Sequence, residues 1–197
     1  MVTDQFSVDR RTAMKTLGAA TVGGLAYSGR PATALAVETT ASANPRMRLR
    51  LAGIEGDADE AGAIDVLGWQ WAGRNDGTMH RARGGAGRST FDDFRVLKRT
   101  DVTSPVLWIS LASGRHIRDA TLIIESGEGS EPTRLAFEFE DVLVTGIDVD
   151  GVEDPEGREV ISLNFRTFEI AYTPQEADGS AGETVRAGWD IAENTAT

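Results

Sequence analysis

No cysteine occurs among the 197 residues. That excludes a disulfide framework and any thiolate metal site, so an exported body must be held by its core and its partners. Histidine is almost as scarce, with His80 and His116 the only two and far apart along the chain. No histidine triad and no histidine metal cluster can be read from them. Lysine is rarer than its usual share: Lys15 and Lys98 are the only lysines among 20 basic residues, the rest being arginine. Positive charge is short altogether, against 31 acidic residues and a formal net charge of −11. Such a surface repels phosphate backbones and anionic bilayers, which argues against nucleic acid as a partner. Abundant carboxylates with few lysines suit a protein that stays soluble in concentrated salt. The codon usage of a GC-rich genome gives the same counts. Finally, no apolar run is long enough to span a bilayer, so no stable membrane insertion is expected.

What is present is enough for a core. Hydrophobic residues make up 40% of the chain, with seven Phe, four Trp and two Tyr to supply buried area. The length fits one principal domain with removable or disordered ends. At the front, Arg10 and Arg11 are followed by Lys15 and by the weakly apolar "TLGAATVGGLAYSG". Small residues at Ala34 and Ala36 then offer a cleavage site before Val37. This pattern matches a twin-arginine export signal over residues 1–36, a route for proteins already folded, with the twin-arginine translocase as a transient partner. The mature chain is therefore expected outside the cytoplasm, extracellular or at the cell surface. Residues 37–45, "VETTASANP", read as a linker.

Beyond Pro45 the hydrophobic period becomes two. "RMRLRLAGI" puts Met47, Leu49 and Leu51 on one face and Arg46, Arg48 and Arg50 on the other, the latter a wet strand face. "AIDVLGWQWAG" carries Trp69 and Trp71 on one side, and a long basic loop, residues 73–87, follows it. Long loops in compact domains tend to be functional or disordered. One helix interrupts the strands: Ser104 is its expected N-cap, Pro105 its first position, and Gly114 its stop. Its "VLWISLAS" is apolar nearly all round, which implies cover on several sides by its own sheet or by a neighbouring subunit. In "EVISLNFRTFEIAYTP", Ile161, Leu163 and Phe165 share one face while Phe168, Ile170 and Tyr172 share the other. A phase switch of this kind implies a bulge or a strand serving two packing surfaces, as in small barrels. Residues 176–197 are either a final edge strand or a flexible tail. The fold class expected is mainly β, an antiparallel two-sheet barrel with one short flanking helix.

No catalytic constellation emerges from the sequence. "GGAGRST" resembles a phosphate-binding loop, but Ala82 stands at the first glycine position, Arg88 at the lysine, and a strand follows. "DVDGVEDPEG" resembles a calcium loop, yet Gly146 and Gly157 sit where carboxylates are required. No enzyme activity, metal or cofactor is expected.

The stretches "GRSTFDDFRVLKRTDVTSPVLWISLASGRHIRDATLII" and "EVISLNFRTFEIAYTPQ" closely resemble the haemolysin-coregulated protein (Hcp) family, which forms the inner tube of type VI secretion systems. "LAGIEGDADEAGAIDVLGWQWA" fits that family's opening strands, so the resemblance spans residues 47–175 in consistent order. It implies a β-barrel with one flanking helix over residues 46–175, six copies closing into a ring, and rings stacking head to tail into a hollow tube. It also implies that the loop after the second strand touches neighbouring copies. In this chain that gives candidate contact residues Arg74, Met79, His80, Arg81, Arg83 and Arg88, with Trp108 on the helix. Family members normally assemble in the cytoplasm without a signal peptide, from which the export signal expected over residues 1–36 is a departure. The resulting expectation is an extracellular ring- or tube-building protein. The alternatives are a type VI tube component, or a ring-shaped carrier of small effector cargo.

Overall fold

The structure, a computed structural model, describes residues 45–75, 77, 88–127, 132–151 and 157–197, all within one compact unit. The export signal (Arg10, Arg11, Lys15, Ala34, Ala36) and the loop residues Met79, His80, Arg81 and Arg83 lie outside the described residues.

Among the described residues eleven strands and one helix follow in the order β1 (Arg46–Leu51), β2 (Ile64–Asp65), β3 (Gly68–Gln70), β4 (Gly73–Asn75), β5 (Ser89–Phe91), β6 (Phe94–Arg99), α1 (Ser104–Ser113), β7 (His116–Ser126), β8 (Thr133–Asp150), β9 (Arg158–Thr173), β10 (Val185–Asp190) and β11 (Thr195–Ala196). Every pairing is antiparallel. Nine strands share one sheet, and β4 with β5 forms a separate two-stranded ribbon. Along the sheet, β2 pairs β1, then come β7, β8, β9, β6 and β3. Because β2 and β3 are successive pieces of one segment, the sheet curls back on itself there. Val66 N–H donates to Met47 O at 3.0 Å and Leu67 N–H donates to Leu97 O at 2.8 Å. This seam is a few backbone bonds rather than a full ladder, so the two-sheet barrel expected is here one curled nine-stranded sheet that is not fully closed. The single strand expected over "AIDVLGWQWAG" is thus two, β2 and β3, broken where the chain passes from one partner to the next. Residues 73–75, expected as loop, form β4 against β5.

The phase switch is real, and it is shared by three strands. On β7 the buried set runs Ile117, then Ala120 and Leu122; on β8, Phe137 and Phe139, then Val142 and Val144. On β9 it is Ile161, Leu163 and Phe165, after which Phe168 and Ile170 pack against the core. Register puts Ile117, Val142 and Phe165 in one row and Ala120, Phe139 and Phe168 in another. All three strands therefore change face along one line, a crease marked by Asp141 at φ 52°. On the outer edge of β9 the partner also changes there, from β6 up to Leu163 to β10 from Thr167. A second irregularity, a bulge between Val144 and Gly146, brings Ile147 opposite Ile161.

Aromatic rings fill the barrel. Trp71 meets Phe94, Phe137, Phe139, Phe165 and Phe168, its centroid 4.9 Å from that of Phe168 at 80°. Edge-to-face contacts of this kind add to the value of the buried area itself. The indole N–H is not orphaned: Nε1 donates to Asp92 O at 3.0 Å. On the outer face Arg48 lies 3.0 Å from Glu60 and 3.6 Å from Glu125, and Arg50 pairs with Glu60. The three arginines of β1 thus line its polar side while Leu49 and Leu51 are buried.

Candidate functional site

The helix is the element whose surface is least satisfied by the chain itself. Leu107 is 0% exposed and Ser110 1%, both on the side packed against β8. The opposite side shows Trp108 at 45% and Ile109 at 68%, with Val106 and Val102 also exposed. Four exposed apolar side chains within eight residues, on an otherwise acidic protein, make a patch of the kind found at protein–protein contacts. The helix is too short to be stable alone, so its ends are fixed by other groups. Gly114 closes it at φ 61°, a conformation that costs glycine little, and Arg115 N–H donates to Ser110 O at 3.1 Å.

Its start differs from the expectation. Thr103, not Ser104, is the N-cap; it has helical angles of −82° and −21° and makes no side-chain cap bond. Ser104 is instead the first helical residue. Its hydroxyl is drawn inward, donating to Glu159 Oε1 at 2.6 Å and accepting Asp101 N–H at 3.1 Å. Asp101 Oδ1 takes over the capping region by accepting Thr103 N–H at 2.8 Å.

Beneath this start lies a feature that sequence reasoning missed. Lys98 is 0% exposed and Glu159 1%, and the two pair directly across β6 and β9. Lys98 Nζ also donates to Arg99 O at 2.7 Å and lies 2.9 Å from Asp101 Oδ1. The signal was legible in the alternation. Phe94, Val96 and Lys98 share one face of β6, and Glu159, Ile161 and Leu163 share one face of β9.

The candidate contacts fall on different elements. Trp108 lies on the exposed side of α1. Arg74 lies on the β4–β5 ribbon, where its Nη1 is 3.0 and 3.1 Å from the two carboxylate oxygens of Asp92. That guanidinium is committed within its own ribbon. Arg88 is exposed at the foot of the same ribbon, which Phe91 anchors against Trp71 and Phe168. Of the two histidines, His116 is the one described: Nδ1 meets Asp141 Oδ1 at 2.5 Å on the open surface.

A hollow of about 110 Å³ over Ala136 and Ala171 is edged by Arg134, Glu138 and Arg186. Pockets for small-molecule substrates are typically about 300–1,000 Å³. Beside it the Glu169 carboxylate holds the Arg186 guanidinium above its ordinary value, through their hydrogen bond first and their charges second. At the far end of β10 the Glu193 N–H lowers the Asp190 carboxyl below its ordinary value, with Arg166 adding to the effect. Among the described residues there is no cluster of metal-ligating side chains, and no helix is long and apolar enough to cross a membrane.

Comparison with known proteins gives a consistent picture. A family model described as "Type VI secretion system effector, Hcp" matches residues 49–172. Protein hcp1 of Pseudomonas aeruginosa is 33% identical over 106 residues, which are 52% of this chain and 65% of that protein. The chain thus spans about 65% of that curated relative's length. Among solved structures, one described as a type six secretion system protein aligns with a TM-score of 0.71 at 24% identity, covering 78% of this chain and 99% of the other. Hcp1 from Salmonella typhimurium aligns with a TM-score of 0.64 at 28% identity and the same coverage.

Proposed function

This chain belongs to the Hcp family of type VI secretion system proteins, and we propose that it is a structural protein whose copies close into rings, six to a ring, that stack into hollow tubes outside the cytoplasm. The observation that carries this reading is the exposed apolar side of α1, with Ile109 68% and Trp108 45% open to solvent. A second copy is the economical cover for it. A head-to-tail contact that rotates shut gives a closed ring. The basic loop at residues 73–87, rooted on the β4–β5 ribbon, supplies contacts between rings, with Arg88 and its basic loop neighbours meeting acidic surface on the next copy.

The paired Arg10–Arg11 and the small residues Ala34 and Ala36 support export of the folded chain by the twin-arginine route. Folding inside and assembling outside would keep polymerisation out of the cytoplasm. Three experiments test the reading. Negative-stain microscopy of residues 37–197 should show rings, and deletion of residues 74–86 should leave the barrel folded but abolish stacking. Arg10–Arg11 replaced by lysines should halt appearance of the mature form outside the cell. Stacking that survives the deletion overturns the loop's role, and export that survives the lysine pair overturns the route.

A further inference from the structure

We propose that copies of this chain join head to tail, the exposed side of α1 on one copy seating in an apolar mouth at the other end of the next copy's barrel. The inference rests on the reading that copies associate, and adds which surface receives the helix. The mouth is where the inner face of the sheet runs out of cover. One rung joins Met47, Ile124, Leu135, Tyr172 and Val185 across β1, β7, β8, β9 and β10. Along it burial fades: the first three are partly buried against the core, whereas Tyr172 is 46% and Val185 67% exposed. The next rung inward begins with Leu49, Leu122 and Phe137, all buried, and passes to Ile170, which is only partly buried. Trp69 borders the same opening. Its ring centroid lies 4.8 Å from that of Phe137, yet the residue is 38% exposed.

The helix lies at the far end of the same strands. Its start is fastened through Ser104 to Glu159, which stands opposite Val149, and its end leads into His116, opposite Leu143. Leu143 and Leu135 are eight residues apart on β8, so helix and mouth are separated by roughly 26 Å of strand. Two unlike apolar surfaces at opposite ends of one body cannot cover each other within a copy, but one copy's helix covers the next copy's mouth. That contact is heterologous, and it closes into a ring where the rotation between copies permits. The two surfaces match in chemistry. Val106, Trp108 and Ile109 present aliphatic and aromatic surface to Trp69, Tyr172 and Val185, so both exposed faces are withdrawn from water together. The charges beside them are opposite: Arg115 is exposed just past the helix, and Glu176 and Glu183 are exposed in the β9–β10 connection that ends at Val185. Paired, they fix the orientation of the helix more than they add affinity.

Sedimentation of paired variants of the full chain tests this. Ile109→Glu spoils the helix side and leaves the mouth, whereas Val185→Glu spoils the mouth and leaves the helix. Each alone should sediment as a monomer with the thermal unfolding of the wild type. An equimolar mixture should give a species of twice the monomer mass that grows no further, the helix of Val185→Glu seated in the mouth of Ile109→Glu. Val185→Glu that assembles like the wild type, or a mixture that stays monomeric beside an assembling wild type, overturns the mouth and leaves self-association standing. A wild type that never associates overturns both. The absence of cysteine allows a check that introduces no charge. Ile109→Cys oxidised together with Tyr172→Cys should form a disulfide-linked pair that neither forms alone. Links only between two copies of Ile109→Cys, or no link at all, overturn the proposal as well.

Discussion

Lys98 on β6 and Glu159 on β9 face one another across a single rung of the sheet, and Ser104, the first residue of α1, hydrogen-bonds to both. The inner face of the barrel and the start of the helix are thereby tied at one buried polar point. On the same inner faces Val96 and Ile161 are fully buried alongside.

Removing one partner should be severe. Lys98→Met leaves the Glu159 carboxylate buried without its cation, and loss of one member of a buried pair costs about 3–5 kcal/mol. Lys98→Met/Glu159→Leu has no charge left unpaired, so its stability should lie between that of the single variant and that of the wild type. Urea unfolding followed by tryptophan fluorescence measures both. A single variant as stable as the wild type would contradict the anchoring role.

The two sides of α1 should respond oppositely. Leu107→Ala opens a cavity beneath the helix and should cost about 2–5 kcal/mol in unfolding free energy. Ile109→Glu changes only an exposed position, where stability should shift by about 0.5 kcal/mol or less. Its effect should appear in assembly instead, with rings lost on size-exclusion chromatography while thermal unfolding is unchanged.

The barrel was largely legible in the sequence because its alternation is regular. Leu49 and Leu51 lie inward, and the inward set passes from Phe165 to Phe168 as the pattern implied. What alternation could not show was that the same change of face occurs in β7 and β8 at the same row. That alignment is set by register between strands distant in sequence. The split of the segment carrying Trp69 and Trp71 was hidden for the same reason, since it depends on a change of partner at Val66 and Leu67. Ser104 has the composition of an N-cap, but its hydroxyl is taken by a residue 55 positions away. Local preference loses to a buried carboxylate that needs a donor. Alternation places Lys98 on the inward face of β6, but its type argues against burial, since lysine is almost never fully buried unless paired.

Asp141 marks the crease with a left-handed backbone that suits glycine best. Asp141→Val should therefore cost about 1–2 kcal/mol. Asp141→Gly relieves the backbone and forfeits only an exposed contact with His116, so it should fall within about 1 kcal/mol of the wild type. Thermal unfolding of the pair of variants separates backbone strain from side-chain loss.

The C-terminal hairpin should loosen in acid. Asp190 is held below its ordinary value of 3.8 in the folded state, first by the Glu193 N–H. A carboxyl lowered on folding contributes stability that is fully present above its unfolded value and is lost as pH falls through the folded one. An NMR titration should place the Asp190 midpoint below 3.8. Amide exchange at Glu193 should accelerate through that same range. A midpoint at the ordinary value would contradict the hydrogen bond.

Self-association is the claim on which the functional account depends, and sedimentation velocity of residues 37–197 addresses it most directly, at several concentrations in low and high salt. With a formal charge of −11 on the whole chain, copies repel one another, and salt screens that repulsion. The account predicts a ring-sized species that grows with concentration, is favoured by salt, and disappears in Ile109→Glu. A single monomeric boundary under every condition would contradict it.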